Sequence, residues 1–285
     1  MKFLLTCLVA LTLTGCVGAK LPPLPEDDVD VSQTTFSYAA PVGRATAKAY
    51  SAIVVNAKSG RILHEENAGD LRFPASLTKM MTLYLLFDEI SAGRLSFSDT
   101  LEVSKNAASQ PPAKIGLKEG TTFTVLQAAQ AMAVKSGNDV AMAVAENLAG
   151  SEAAFASRMN RKAASLGLTR THFVNASGLP DSGQVTTARD MAILGRALKT
   201  RHARYSRFFK ATEFVYNGKK FRATNRLLGK VRGVDGIKTG YIRLSGYNLA
   251  ASVNRGGKRL IVVVMGAPSG KERNEEVTRL IEEYL

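Results

Sequence analysis

The sequence predicts an α+β fold: an antiparallel sheet built from N- and C-terminal strands, flanked by helices, with a helical insert. Three observations lead there. Two β-rich runs come early, "AYSAIVV" and "RILHEEN"; apolar helical stretches fill the middle; three more β-rich runs and a helix close the chain. That segregated order is α+β, since a parallel sheet would alternate strand and helix. With 285 residues, 45% of them hydrophobic, the chain can bury one large core or two small ones.

The elements follow in order. Residues 50–55 and 61–66 are expected as a hairpin turning through Asn56 to Gly60. A helix is expected from Ser76 to about Ile90, then short polar and Gly/Pro-rich pieces over 91–121. A second helix starts at Thr124, a plausible N-cap, and is interrupted by Ser136-Gly137-Asn138. "DVAMAVAENLA" is the third helix, stopped by Gly150; the fourth covers about 151–165. The fifth opens on the capping-box pattern Thr187-x-x-Asp190 and runs to Lys199. "VDGIKTG", "GYNLAASVN" and "RLIVVVMG" are strands, the last two a hairpin across "RGGK", and a final helix fills about 271–285.

Ahead of the folded part, residues 1–15 read as a signal peptide: a positive start at Lys2, then an apolar run too short to span a bilayer. Leu13-Thr14-Gly15-Cys16 resembles the bacterial lipobox, in which the cysteine is lipidated and becomes the new N-terminus. An ordinary signal cut after Val17-Gly18-Ala19 is the alternative. Both export the protein. Residues 16–49, rich in Pro, Asp, Ser and Thr, read as a flexible tether. A coil of about 30 residues reaches about 30 Å, so a lipid at Cys16 would hold the folded domain, 50–285, near a membrane.

Composition excludes several chemistries. The charge is +14, but Lys and Arg are scattered, without a basic block interleaved with aromatics, so nucleic acid is not an expected partner. Both cysteines, Cys7 and Cys16, precede the folded part, which rules out a disulfide or thiol nucleophile there. His64, His172 and His202 form no metal-ligand spacing. No metal or cofactor is expected.

Three short motifs carry chemistry. Ser76-Leu77-Thr78-Lys79 is the only S-x-x-K, and Lys238-Thr239-Gly240 the only K-T-G. Ser136-Gly137-Asn138 is one of three S-x-N patterns, with Ser104-Lys105-Asn106 and Ser252-Val253-Asn254. It is preferred because a polar turn between two apolar helices needs a reason. Lys79 lies one helical turn beyond Ser76 on the same face. Burial and a second cation, Lys238, would both disfavour a charge on Lys79 and leave a base beside the serine hydroxyl. Alone, such a pair is more often a capping serine with a snorkelling surface lysine; the K-T-G and the flanking stretches turn the reading toward chemistry.

Together these motifs resemble the set shared by penicillin-binding proteins and class A β-lactamases. "PASLTKMMT", "SGNDVAMAVAE", "TARDMAILG" and "DGIKTGYIRLSGYNLAAS" occur in the order found in one branch: the low-molecular-mass penicillin-binding proteins that are D-alanyl-D-alanine carboxypeptidases. The resemblance covers about Ser51 to the C-terminus and implies a β-lactamase/transpeptidase-like fold.

It also implies roles. Ser76 is the nucleophile, Lys79 its base, and Ser136 a proton relay to the leaving amine. Asn138 holds Lys79 and a substrate carbonyl. Thr239 binds the substrate carboxylate, Gly240 admits the substrate backbone at the strand edge, and the amides of Ser76 and Tyr241 form the oxyanion hole. Arg273 matches a carboxylate-binding arginine through a loose alignment; a solvated helix-start arginine is the alternative. The implied partner is a peptidoglycan stem peptide ending in D-Ala-D-Ala, with β-lactams as inhibitors. A D,D-endopeptidase and a non-catalytic wall-binding lipoprotein are the other readings. The middle motif is Ser-Gly-Asn rather than S-D-N, and no E-x-x-x-N segment follows it, which argues against efficient β-lactam hydrolysis. Members of this branch often carry a second β-rich domain and a C-terminal amphipathic anchor; here the lipid at Cys16 is expected to replace the anchor.

Overall fold

The structure is a computed structural model and describes residues 19–25, 41 and 43–285. The signal peptide and Cys16 lie outside the described residues. Strands β1 (Ser51–Asn56) and β2 (Ile62–Glu66) form the first hairpin, with Ala52 opposite Glu66 and Val54 opposite His64. A 3-10 turn, Ala75–Thr78, leads into helix α1 (Lys79–Ser91). Next come β3 (Thr100–Glu102), α2 (Lys105–Ser109), β4 (Thr122–Thr124) and α3 (Val125–Gln130). A π-helical turn, Ala131–Lys135, ends at Ser136, and α4 (Asn138–Ala149), α5 (Glu152–Ser165) and α6 (Ala188–Thr200) follow. After α7 (Ser206–Lys210) and the hairpin β5 (Glu213–Tyr216)/β6 (Lys219–Arg222), the chain closes with β7 (Val234–Ile242), β8 (Gly246–Arg255), β9 (Lys258–Ala267) and α8 (Gly270–Tyr284).

The main sheet has five strands in the order β2-β1-β9-β8-β7, antiparallel throughout. This is the expected α+β architecture. β1 and β9 sit inside it, which explains their unbroken apolar runs: both faces are covered. Ile53, Val55, Ile261, Val263 and Met265 pack in one cluster with α1 and α6. Their neighbours Ala52, Val54, Val262 and Val264 pack in a second, with Val277, Leu280 and Ile281 of α8. α1 is apolar all round because it runs through the first cluster, buried from Lys79 to Phe87.

Several local expectations change. The helix expected from Ser76 begins as a 3-10 turn, and regular α geometry starts at Lys79. Thr124 caps α3 in a full capping box with Gln127. Thr187 caps α6, accepting from the Asp190 amide at 3.0 Å, but the Asp190 carboxylate turns away to accept from the Arg170 amide at 2.9 Å and the Thr171 hydroxyl at 2.6 Å. The helical insert also contains two small two-stranded sheets, β3/β4 and the hairpin β5/β6.

The tether expected over 16–49 is corrected at both described ends. The Leu21 amide donates to the Gly60 carbonyl at 2.9 Å, the Ile62 amide donates to Ala19 at 2.9 Å, and Leu21 is only 2% exposed. Farther on, the Thr46 amide donates to Leu71 at 3.1 Å and the Lys48 amide to Leu244 at 2.9 Å. Burying a leucine and pairing its backbone outweighs the local preference of a Pro-rich segment for open coil.

Candidate active site

The segment before α1 is bent to present Ser76. Ala75 has φ 49°, a left-handed value that L-residues adopt only under restraint. The restraint is visible. Asn248 of β8 donates through Nδ2 to the carbonyls of Phe73 (3.0 Å) and Pro74 (3.2 Å), and its Oδ1 accepts from the Gly266 amide at 2.9 Å. Gly178 presses on the other side: a Cβ there would stand 1.9 Å from the Ala75 carbonyl oxygen. At Gly240 a Cβ would stand 3.0 Å from the Pro74 carbonyl oxygen and 3.2 Å from the Ser76 amide nitrogen. β7, the open edge of the sheet, thus runs directly against the serine backbone.

Lys79 is fully buried and its Nζ meets three oxygens: Ser76 Oγ at 3.2 Å, Asn138 Oδ1 at 2.7 Å and the Ser177 carbonyl at 2.5 Å. Asn138 Nδ2 donates to the Pro111 carbonyl at 3.0 Å. A carbonyl can only accept, so that contact fixes the amide with its oxygen toward Lys79. Burial, and then the Lys238 cation, hold the Lys79 amine well below its ordinary value, with Asp139 pulling the other way. Two of the three contacts are acceptors only. In its neutral form the amine would give its two N–H bonds to these and turn its lone pair to the Ser76 hydroxyl, 3.2 Å away.

Lys238 is also buried, donates to the Thr239 carbonyl at 2.9 Å, and is pushed down to about 7 by burial and the nearby Arg273. Burial brings Arg273 down to about 10, against an opposing effect of Tyr247. Arg273 is held by Asn274 Oδ1 at 2.7 Å and the Asn248 carbonyl at 3.4 Å. Neither Lys238 nor Arg273 has an ion-pair partner among the described residues.

Ser136 takes a left-handed conformation, φ 68°, at the end of the π turn, and its buried Oγ has no hydrogen-bond partner among the described residues. Thr239 Oγ1 donates to Thr224 Oγ1 at 2.7 Å. Ser76, Ser136, Asn138, Thr239, Gly240, Tyr241 and Arg273 all line one cleft of about 350 Å³, which also includes Tyr247. The predicted site residues of the folded part therefore converge, with Lys79 and Lys238 beneath the others. Ser104 is occupied capping α2 and Ser252 bonds Asp235 at 2.5 Å, so the other two S-x-N patterns have structural duties. Among the described residues no group of His, Cys, Asp or Glu could hold a metal ion.

Sequence reasoning missed four contributors. Asp139, wholly buried, accepts from the amides of Ile115 (3.0 Å), Gly116 (2.8 Å) and Leu117 (3.1 Å) and so pins the loop that follows Pro112 and Ala113 on the cleft wall. Asn248 braces the serine segment. Asn175 Oδ1 accepts from the Gly178 amide at 2.7 Å and fixes the turn that presents the Ser177 carbonyl. A carboxylate at an apolar helix start and an Asn inside an apolar strand were visible signals; a backbone carbonyl leaves none.

The comparisons agree with this geometry. The D-alanyl-D-alanine carboxypeptidase family model (peptidase S11) matches residues 35–269. D-alanyl-D-alanine carboxypeptidase DacF of Bacillus subtilis is 38% identical over 82% of this chain and 61% of its own length. DacA of Escherichia coli is 40% identical over 82% of this chain and 60% of its own. The chain thus spans about three fifths of these curated relatives. Among solved structures, the carboxypeptidase DacD of Francisella tularensis superposes with TM-score 0.80 at 29% identity, covering 90% of this chain and 73% of that one. Penicillin-binding protein D2 of Listeria monocytogenes, in its cefotaxime-bound form, gives 0.75 at 31%, covering 85% and 98%. Matched by the family model over residues 35–269, this chain belongs to the D-alanyl-D-alanine carboxypeptidase family, peptidase S11.

Proposed function

We propose that the protein is a serine-type D-alanyl-D-alanine carboxypeptidase that removes the terminal D-alanine from peptidoglycan stem peptides and is inhibited by β-lactams. The observation that carries this reading is the environment of Lys79: a buried amine with no carboxylate contact among the described residues, 3.2 Å from Ser76 Oγ.

In this reading the Ser76 hydroxyl gives its proton to Lys79 Nζ while Oγ attacks the carbonyl carbon of the penultimate D-alanine. The carbonyl oxygen takes the negative charge. The Ser76 and Tyr241 amides stabilise it, a role supported by the close approach of Gly240 to the Ser76 nitrogen. The C–N bond then breaks. The leaving nitrogen takes the proton that Lys79 accepted, relayed through Ser136 Oγ, which has no other partner to give up among the described residues. Water next attacks the Ser76 ester and gives its proton to Lys79, which returns it to Ser76 Oγ as the acyl C–O bond breaks and the shortened peptide departs. The substrate carboxylate lies toward Thr239, Lys238 and Arg273, where it supplies a counter-charge to two buried cations. Asn138 keeps Lys79 aimed at the serine and uses its amide for a substrate carbonyl.

Export through the signal at residues 1–15, with a lipid on Cys16, completes the reading; no described helix is long and apolar enough to cross a membrane. The test is digestion of purified muropeptides, with a fluorescent penicillin as reporter of Ser76. Labelling by penicillin and loss of one D-alanine from pentapeptides support the proposal. Loss of crosslinks instead would assign an endopeptidase. A wild-type protein that does not label, or a Ser76→Ala variant that labels equally, rules out the acyl-enzyme.

A further inference from the structure

The docked N-terminal segment has a consequence for how the enzyme sits in the cell. Residues 19–21 pair antiparallel with residues 60–62, at the start of β2 on its outer edge, through the Lys20–Arg61 bridge and the Leu21–Gly60 and Ile62–Ala19 bonds. Arg201 donates to the Pro25 carbonyl at the far end of the segment. Cys16 is three residues before Ala19, so chain geometry allows at most ~11 Å between them. A lipid on Cys16 is therefore held close to this edge of the sheet.

The same edge is basic. Lys20, Lys58 and Arg61 are exposed. Arg196 reaches over from α6 to donate to the carbonyls of Ala57 (2.9 Å) and Lys58 (3.2 Å). None of the four is in an ion pair among the described residues; of the acids on β2, Glu65 is engaged by Arg189 and Glu66 is exposed at the far end of the strand. The cleft lies at the opposite edge, on β7, five strand spacings of ~4.8 Å from the docked segment, or ~24 Å.

We propose that Lys20, Lys58, Arg61 and Arg196 form a seating face that rests on anionic phospholipid headgroups beside the lipid on Cys16. The face fixes the orientation of the domain and keeps the β7 cleft on the side away from the bilayer. The orientation rests on the lipid-anchor reading; the headgroup contact does not. A basic face within a Debye length, ~8 Å, of an anionic surface is attracted to it, and each Lys or Arg there strengthens binding about fivefold.

The test uses the full mature chain with Cys16→Ser, so that no acyl chain contributes. Sedimentation is measured with vesicles of phosphatidylcholine alone and with phosphatidylglycerol added. Wild type should bind only the second, more weakly as salt rises. Lys20→Glu/Lys58→Glu/Arg61→Glu should lower that binding at least ~tenfold. Lys105→Glu/Lys118→Glu/Lys219→Glu, the same charge change at other exposed positions, should lower it far less. Equal loss in both triple variants, no loss in the first, or equal binding to both vesicle types overturns the proposal. Fluorescent-penicillin labelling of each variant checks folding and the catalytic reading separately, and intact mass of the unmutated protein from membranes reports the lipid. A protein that labels and is lipidated yet ignores phosphatidylglycerol refutes the seating face alone.

Discussion

Asn138 Oδ1 accepts from Lys79 Nζ at 2.7 Å, while the Asn138 amide nitrogen is tied to the Pro111 carbonyl at 3.0 Å. The asparagine presents an acceptor without a charge. It orients the lysine without raising its proton affinity, as a carboxylate in its place would. Most of the proposed chemistry depends on that distinction.

The first prediction follows directly. Asn138→Asp places an anion 2.7 Å from the amine and favours the ammonium form. Acylation by a chromogenic cephalosporin should fall by about 10²–10⁴-fold at neutral pH, the usual worth of a general base, and recover partly toward alkaline pH. Asn138→Asp acylating at the wild-type rate at neutral pH would remove Lys79 from the base role.

Lys238 contributes to the same effect from 159 residues away (238 − 79). Its charge disfavours a second proton on Lys79. Replacing it by Gln should move the ascending limb of the pH–acylation profile upward, besides weakening substrates that carry a carboxylate. A limb that stays in place would show that burial alone tunes Lys79.

Stability should depend on pH through the same amines. Their folded-state values lie below the ordinary lysine value, so between the two the unfolded chain binds more protons than the native one. Stability from these groups is lowest at acid pH and rises with pH until the unfolded lysines also lose their protons, near ~10.4. Urea denaturation from pH 7 upward should show this rise in wild type, and a shallower one in Lys79→Met. Equal slopes would contradict the lowered value.

The braces behind the site should matter for folding. Asp139→Ala strips the acceptor from the Ile115, Gly116 and Leu117 amides, the first and last of them buried, and should cost about 3–5 kcal/mol. Gly178→Ala combines φ +84° with a Cβ 1.9 Å from the Ala75 oxygen and should cost at least ~2 kcal/mol. Denaturant midpoints at constant slope measure both; near-neutral values would mean that the loops move freely and do not position Ser76.

The motif positions and the sheet were legible because both leave periodic or exclusive marks. β1 and β9 read as strands from their apolar runs, and S-x-x-K and K-T-G each occur once. The β5/β6 hairpin was also marked, by Asn217-Gly218 at its turn, but strands of four residues are weak signals beside the surrounding helices. The Ser177 carbonyl and the docking of residues 19–25 were not legible. One is backbone, and the other depends on a β2 edge that exists only after the sheet has formed. Asp190 shows the same limit: its capping-box spacing is local, whereas its partners Arg170 and Thr171 come from another loop.

The protonation state of Lys79 is the point on which the mechanism turns. Incorporating lysine labelled with ¹³C at Cε, and assigning the Lys79 signal by its loss in Lys79→Met, allows its titration to be followed by NMR in the free enzyme. The mechanism requires the signal to titrate well below the ordinary lysine value of 10.5, so that neutral amine is present when substrate arrives. A Lys79 that stays an ammonium up to 10.5 or beyond would contradict it.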